Sequence, residues 1–380
     1  MVRAAASLVL ATVFLAPGWV QPPAVAAEVE LTVWDWHEPR LTLTKRYAEE
    51  YRKAHPNVQF AFSIPGGRMD EKLAVALAAG APPDIVQLHN EWAGRFTDAL
   101  EPYPRALFPR GDLRREHVLF DMTSMINNEV YFLPAGLMNG GIYYYTDKLQ
   151  NAGYQEPPTR WTDFITAARR LTRRDADGRI TQGGFGILSD FMWLWTDVNY
   201  QYGGFLFREE GGVTFQSEPS RKAFTVLLDI VRSDVDVGGL SFDEGTLAMK
   251  YNWTWYEAFA QRLGIEYGVG MIPTPTGGSL PARGRMNVEI GVGVPASISQ
   301  EHKDEAFKFI AWLFNHDDFM VELNRLLGTI PSRRSLWSRE ELVESPAMRM
   351  LMEQAPATIF PGPVSTWYWE LLGEASNRLL

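Results

Sequence analysis

Apolar and polar residues alternate over Leu31-Thr32-Val33-Trp34, the spacing of a strand, and the pattern breaks into the polar and aromatic run Asp35-Trp36-His37-Glu38-Pro39. Leu43, Tyr47 and Tyr51 then recur at i, i+4 and i+8, one stripe of a helix. The rhythm repeats. Residues 58–64 read as a strand, 69–79 as an alanine-rich helix stopped by Gly80, and 81–88 as a strand entered through Pro82-Pro83. Residues 130–134 and 142–145 read as strands joined across Asn139-Gly140-Gly141, where glycine permits backbone rotation. Phe164, Ile165, Ala168 and Leu171 form a helical stripe with Thr162 as its expected N-cap; residues 183–187 form a short strand. Ala306, Phe309, Ile310, Leu313 and Phe314 give a further clean stripe. Alternation of strands with helices predicts an α/β fold.

The most informative stretch is residues 242–275. Residues 246–250 read as a short buried strand, Asn252-Trp253-Thr254-Trp255 as a turn and residues 257–263 as a helix ended by Gly264. Two tryptophans on a turn after a strand either pack in the core or wait for a ligand, because strand ends of open α/β sheets are where ligands sit. Trp193 and Trp195 are expected in the core.

Length changes the picture from one core to two, since 380 residues suit two lobes of ordinary domain size. A net charge of −10 argues against nucleic acid, which needs basic surface. The absence of cysteine excludes disulfides, thiolate metal sites, cysteine nucleophiles and a lipidated cysteine anchor. Arg3, the short apolar stretch 4–16 and Val25-Ala26-Ala27 predict a secretory signal peptide cleaved before Glu28. Neither G-x-S-x-G nor H-E-x-x-H occurs, so no common hydrolase motif is present, although paired carboxylates and tryptophans also line glycosidase clefts. His37-Glu38 lacks the second histidine a metal site would need.

Several motifs converge on one family. They are F-x-x-G-x-x-A-M, N-x-x-W, G-I-x-Y-G-V and P-x-P-x-G within residues 242–277, P-D-I-V-Q-L followed by N-x-W-A-G-x-F within 83–96, and G-x-I-P-x-R at 328–333. Together they resemble the family 1 extracellular solute-binding proteins of bacterial ATP-binding-cassette (ABC) sugar importers, the maltose-binding class. The resemblance covers residues 30–380. It implies a two-lobed periplasmic-binding-protein fold of type II, with residues 28–138 and 274–328 in one lobe, 139–273 and 329–380 in the other, and hinges near Asn139, Pro273 and Gly328. It also implies a periplasmic monomer that is not an enzyme, needs no cofactor or metal, binds a carbohydrate in the cleft and hands it to an inner-membrane permease. The competing reading is a secreted carbohydrate-active hydrolase.

The same resemblance distributes the site. Trp255 would stack on the sugar, as the tryptophan of the family's N-G-S-W turn does, although Trp253 stands here where glycine is usual. Trp36 would add a second ring and Glu38 a hydroxyl acceptor. Asn90, Glu91 and Trp92 follow the strand whose end contacts the sugar, and Asn139 borders the first crossing. Glu289 replaces an aromatic contact, Arg333 lies on the return crossing, and Trp367 and Tyr368 belong to the last aromatic run. Such a set suits a sugar, because vicinal hydroxyls match carboxylate and carboxamide groups while the C–H faces of a pyranose match indole.

Overall fold

A computed structural model describes residues 28–89, 92, 95–118, 125–126, 128–187, 191–206, 214–233, 235, 238–262, 264–278, 284 and 287–359. Strand β1 (Val29–Trp34) keeps its inward positions Val29, Leu31 and Val33 buried, and parallel partners flank it, β2 (Val58–Ser63) on one side and β3 (Ile85–Leu88) on the other. Asp84 ties the entry of β3 to β1. Its carboxylate accepts from Thr32 N and Thr32 Oγ1, both at 2.7 Å, and so fixes the β1–β3 register.

The chain then forms two short strands, β4 (Met125–Ile126) and β5 (Glu129–Val130), before β6 (Leu133–Met138). After one residue it continues into β7 (Gly140–Tyr145) of a different sheet. Beyond the small ribbon of β8 (Arg173–Arg174) and β9 (Ile180–Gln182) come β10 (Met249–Trp253), β11 (Tyr267–Gly270), β12 (Asn287–Gly293) and β13 (Ile330–Pro331). The large sheet runs β13-β6-β12-β3-β1-β2 and the small one β10-β7-β11. Each has its own core. In the first, Tyr51, Tyr103, Phe309 and Ile310 cover the large sheet; in the second, Phe164, Phe185, Trp195 and Leu227 cover the small one. The small sheet is covered on both faces, which is why Tyr143 and Tyr144 are both buried although they alternate.

Several expected boundaries move. The lobe assignment at 274 is displaced, because Thr274 N donates to Thr159 O at 2.8 Å and Trp161 N to Thr274 O at 3.1 Å, tying this segment to the small-sheet unit. The assignment at 329 is displaced too, since Ile330 and Pro331 pair with β6 in the large sheet and Leu336 lies in that core. Gly328 is the left-handed C-cap (φ 64°) of the helix Asp317–Leu327. The strand expected at 246–250 is β10, three residues later. The helix Trp161–Leu171 has Arg160 at its N-cap position, without a side-chain cap, so Thr162 lies inside its first turn. Residues 183–187 make only isolated bridges, Gly183 to Leu247 and Gly186 to Lys250. The expected signal peptide lies outside the described residues, among which no helix is long and apolar enough to cross a membrane.

Candidate functional site

Strand directions bring several of the candidate residues to one edge. Both β3 and β6 run antiparallel to β12, so β1, β3 and β6 all point one way and end on the same edge of the large sheet. From that edge the chain crosses at Asn139 into β7. On the other side β10 runs antiparallel to β7 with Trp253 opposite Gly140, so β10 also ends at the crossing. Four strand ends therefore converge on one junction, the place where open α/β sheets bind ligands.

On the large-sheet side the loop after β1 is set by a buried ion pair. Arg40 Nε donates to Asp35 Oδ2 at 2.8 Å, and His37 N donates to Asp35 Oδ1 at 2.9 Å. Both charged groups are out of water, so removing either would strand the other. The guanidinium carbon of Arg40 lies 4.4 Å from the Trp36 ring centroid, and Trp92 meets Trp36 edge-on at 5.0 Å and 69°. His89 completes the group, 6.0 Å from Trp92 and 6.5 Å from Trp36. Trp36 and Trp92, 56 residues apart, are thus brought together and held half-buried. Glu38 is exposed at the first position of the helix Glu38–Ala54, where its charge suits the helix N-terminus.

Across the junction the two tryptophans of the 252–255 turn divide. Trp253 is buried and meets Trp193 edge-on at 6.1 Å and 89°, whereas Trp255 is 48% exposed and meets Tyr256 edge-on at 6.3 Å and 80°. Thr254 N donates to the Asn139 carbonyl at 3.1 Å, locking the turn to the crossing. Asn139 itself is fully buried, and among the described residues neither atom of its carboxamide has a partner. Such a group costs about 1–3 kcal/mol unless something meets it.

Arg333 Nη1 donates to Phe314 O at 3.0 Å and pairs with Asp317 at 2.9 Å, joining helix ends within the large-sheet unit, while its Nε has no partner among the described residues. It also faces His117, whose imidazole Nδ1 lies 2.9 Å from Ser332 Oγ and whose pKa is pushed down to about 4 by burial and then by the Arg333 charge. Asn90, Glu91, Trp367 and Tyr368 lie outside the described residues, as does the side chain of Glu289.

Sequence reasoning passed over a second polar group behind these rings. Tyr251 Oη donates to Asp197 Oδ2 at 2.7 Å, both residues being fully buried, and Gln354 is buried beside them. The available signal was a lone carboxylate in the aromatic run 191–202. Asp197 follows Trp193 by four residues, hence on the same helical face. Among the described residues no cluster of three or more His, Asp or Glu could hold a metal.

Comparison with known proteins agrees with this architecture. Residues 36–318 match the family model described as bacterial extracellular solute-binding protein. A chain of Brucella abortus (strain 2308) that carries the name of a binding protein is 23% identical over 380 residues, covering 94% of this chain and 88% of its own. The maltotriose-binding protein of Pyrococcus abyssi (strain GE5 / Orsay) is 20% identical over 332 residues, covering 84% and 70%. Among solved structures, the cyclic alpha-maltosyl-1,6-maltose binding protein from Arthrobacter globiformis superposes with a TM-score of 0.75 at 20% identity, covering 92% of each chain, and has the same two-lobed fold. With three quarters of its length matched by the family model and its two sheets meeting at one junction, the chain belongs to the bacterial extracellular solute-binding proteins.

Proposed function

We propose that this protein captures a carbohydrate of one to a few sugar units at the junction between its lobes and delivers it unchanged to a membrane permease. The observation that carries this reading is the arrangement of rings: Trp36 and Trp92 at the ends of β1 and β3 on one side, Trp253 and half-exposed Trp255 at the end of β10 on the other. Indole surface suits the C–H faces of a pyranose, and the carboxamide of Asn139 at the crossing, without a partner among the described residues, suits its hydroxyls. Glu38, Asn90, Glu91, Glu289, Trp367 and Tyr368 remain candidates for the rim of the same site. Export to the periplasm through the 1–27 leader, without a lipid anchor, belongs to this proposal, as does action as a monomer. The hydrolase reading draws no support from the relatives, which are binding proteins by name.

A thermal-shift screen against glucose, maltose, maltotriose and lactose tests the reading. A ligand bound only by the folded state stabilises by RT ln(1 + [L]/Kd), about 2.7 kcal/mol at a hundredfold excess over Kd, so a true ligand raises Tm with the logarithm of its concentration. Recovery of the same sugar intact after incubation is expected. A panel that leaves Tm unmoved, or cleavage of the sugar that moves it, overturns the proposal.

A further inference from the structure

Glu257 is a carboxylate kept out of water, 2% exposed, on the helix Tyr256–Arg262 that begins directly after Trp255. Ser345 Oγ donates to its Oε2 at 2.6 Å and Gln261 Nε2 to its Oε1 at 3.1 Å, and the Tyr267 hydroxyl and the Ala347 N–H donate to it as well. An ionised carboxylate has about four lone-pair sites and no proton, so this set of donors satisfies the anion; a proton on either oxygen would meet a donor and force a bond to open. Burial holds the pKa above the ordinary carboxylate value, although the bonds from Ser345, Tyr267, Gln261 and Ala347 work the other way. A position needed for packing alone would be better filled by a neutral side chain, because an interior charge is unfavourable unless its hydrogen bonds are complete. The donors come from separate parts of the molecule. Gln261 lies on the same helix and Tyr267 on β11, whereas Ser345 and Ala347 stand at the start of the helix Pro346–Gln354. Ser345 Oγ also caps that helix, accepting from Met348 N at 3.0 Å, and Met348 packs with Leu88 and Phe132 on the large-sheet side. In the other direction Glu257 N donates to Thr254 O at 3.0 Å, in the turn that carries Trp255. The carboxylate thus fastens the Trp255 turn to a helix seated on the opposite lobe. A cavity of about 120 Å³ beside it, lined by Arg325, Gly328, Glu341 and Glu344 among others, leaves room for the fastening to part.

We propose that Glu257 is a positioning residue for ligand capture: its carboxylate holds the Trp255 turn against the helix Pro346–Gln354, and its protonation loosens that turn and releases the ligand. The inference rests on the carbohydrate reading above, since Trp255 is the ring through which Glu257 acts. A ring already fixed loses no freedom when the ligand arrives, whereas a loosened one must be ordered at the expense of affinity. The linkage is reciprocal: a ligand seated on the fastened turn favours the carboxylate, so the bound protein holds the proton less tightly than the empty one. Affinity is therefore full above the pKa of Glu257 in the empty protein and falls as pH drops through it. Around the carboxylate stand Tyr143, Tyr256 and Tyr267, whose hydroxyls burial holds above their ordinary pKa and hence neutral, and the guanidinium of Arg325. Glu341, held down to about 2 by the bond from Arg339, and Glu344, exposed and screened by water, complete the set; Asp243 and Lys250 reach Tyr256. Glu257 is the buried member of this set that takes up a proton in mild acid.

Calorimetric titrations of the wild type, Glu257→Gln and Gln261→Met with glucose, maltose, maltotriose and lactose, from about pH 7.5 down to about pH 5, decide the matter. For the sugar that binds, wild-type affinity should fall by at least about fivefold across that range, the low end of a coupling between two sites. Glutamine places a donor among donors, as the protonated acid does, so Glu257→Gln should bind about fivefold or more weakly already at the upper pH and respond less to acid. Gln261→Met keeps the carboxylate and removes one donor, so its loss of affinity should set in at a higher pH than in the wild type. It also carries the test should Glu257→Gln fail to fold. A merely structural carboxylate would lower the melting temperature of Glu257→Gln and leave both its affinity and the shape of the pH profile alone. Affinity of Glu257→Gln within about twofold of wild type at the upper pH, or parallel pH profiles in the two, overturns the proposal, as does an unmoved midpoint in Gln261→Met. If the wild type takes none of the four sugars, the carbohydrate reading itself fails and this inference falls with it. That outcome is distinct from a wild type that binds equally well at every pH, which overturns the role of Glu257 alone.

Discussion

Trp255 and His117 show how differently two single residues can be read. The former sits on the turn after β10 with 48% of its surface in water, an arrangement that gives the empty protein little and offers an indole face to a ligand. Trp255→Ala should therefore weaken sugar binding by about 2 kcal/mol, roughly thirtyfold in Kd, and leave the Tm of the empty protein nearly unchanged. Unaltered affinity in titration calorimetry, or a large drop in Tm, would remove Trp255 from the site. His117 acts on stability instead. Its folded pKa of about 4 lies below the ordinary value of about 6.5, so between these pH values the unfolded chain binds a proton that the folded one does not. The stability it helps preserve is fully present above about 6.5 and is lost as pH falls toward 4, by about 3 kcal/mol in all. Denaturant titrations at pH 7 and pH 4.5 should show a smaller acid loss in His117→Gln than in the wild type; equal losses would mean that the imidazole is not held neutral.

Elements were legible in the sequence where local pattern and tertiary demand agree. The strip Leu43–Tyr47–Tyr51 and the stripe from Ala306 to Phe314 emerged as drawn, because a helix packed on one face of a sheet buries one stripe. The apolar pattern starts three residues before β10 because Leu247 and Ala248 are buried much as the strand itself is, so apolarity alone does not mark where pairing to β7 begins. The crossing glycines teach the same lesson. Neither Gly140 nor Gly141 has a positive φ; what they supply is room, for Tyr251 over Gly140 and for Met350 over Gly141. Such contacts join residues more than a hundred positions apart and leave no trace in local pattern. The pairing of Trp36 with Trp92 was likewise invisible until β1 and β3 were known to be neighbours. Gly140→Ala should cost about 1–3 kcal/mol, measured as a shift of the denaturation midpoint, since the added methyl must displace a fully buried tyrosine held by Asp197. A midpoint equal to wild type would restore backbone freedom as the reason for glycine.

At the scale of the whole molecule, motion must be carried by few strands of chain. The chain passes from the large sheet to the small one at Asn139, between β6 and β7, and β12 and β13 return to the large sheet after β11. The helix Pro346–Gln354 is not a passenger of one lobe. Met348 and Leu351 pack on the large-sheet side with Leu88 and Phe132, while Ala347 packs on the small-sheet side with Tyr143 and Tyr256. A further contact joins the lobes directly: a Cβ on Gly328 would stand 2.5 Å from Thr254 O, so the end of the helix Asp317–Leu327 already touches the turn that carries Trp255. Rotation about the crossings would thus move the Trp255 turn and the Trp36–Trp92 pair relative to one another without breaking either core, the behaviour of a hinge. Ligand bridging the two walls should favour the arrangement that brings them together, because only differential affinity shifts such an equilibrium. Small-angle scattering with the sugar identified by thermal shift should therefore show a smaller radius of gyration at saturation, with the far-ultraviolet circular dichroism spectrum unchanged. Equal radii with and without ligand would mean that the lobes do not close on it, and a changed spectrum would point to folding of a segment in place of rotation.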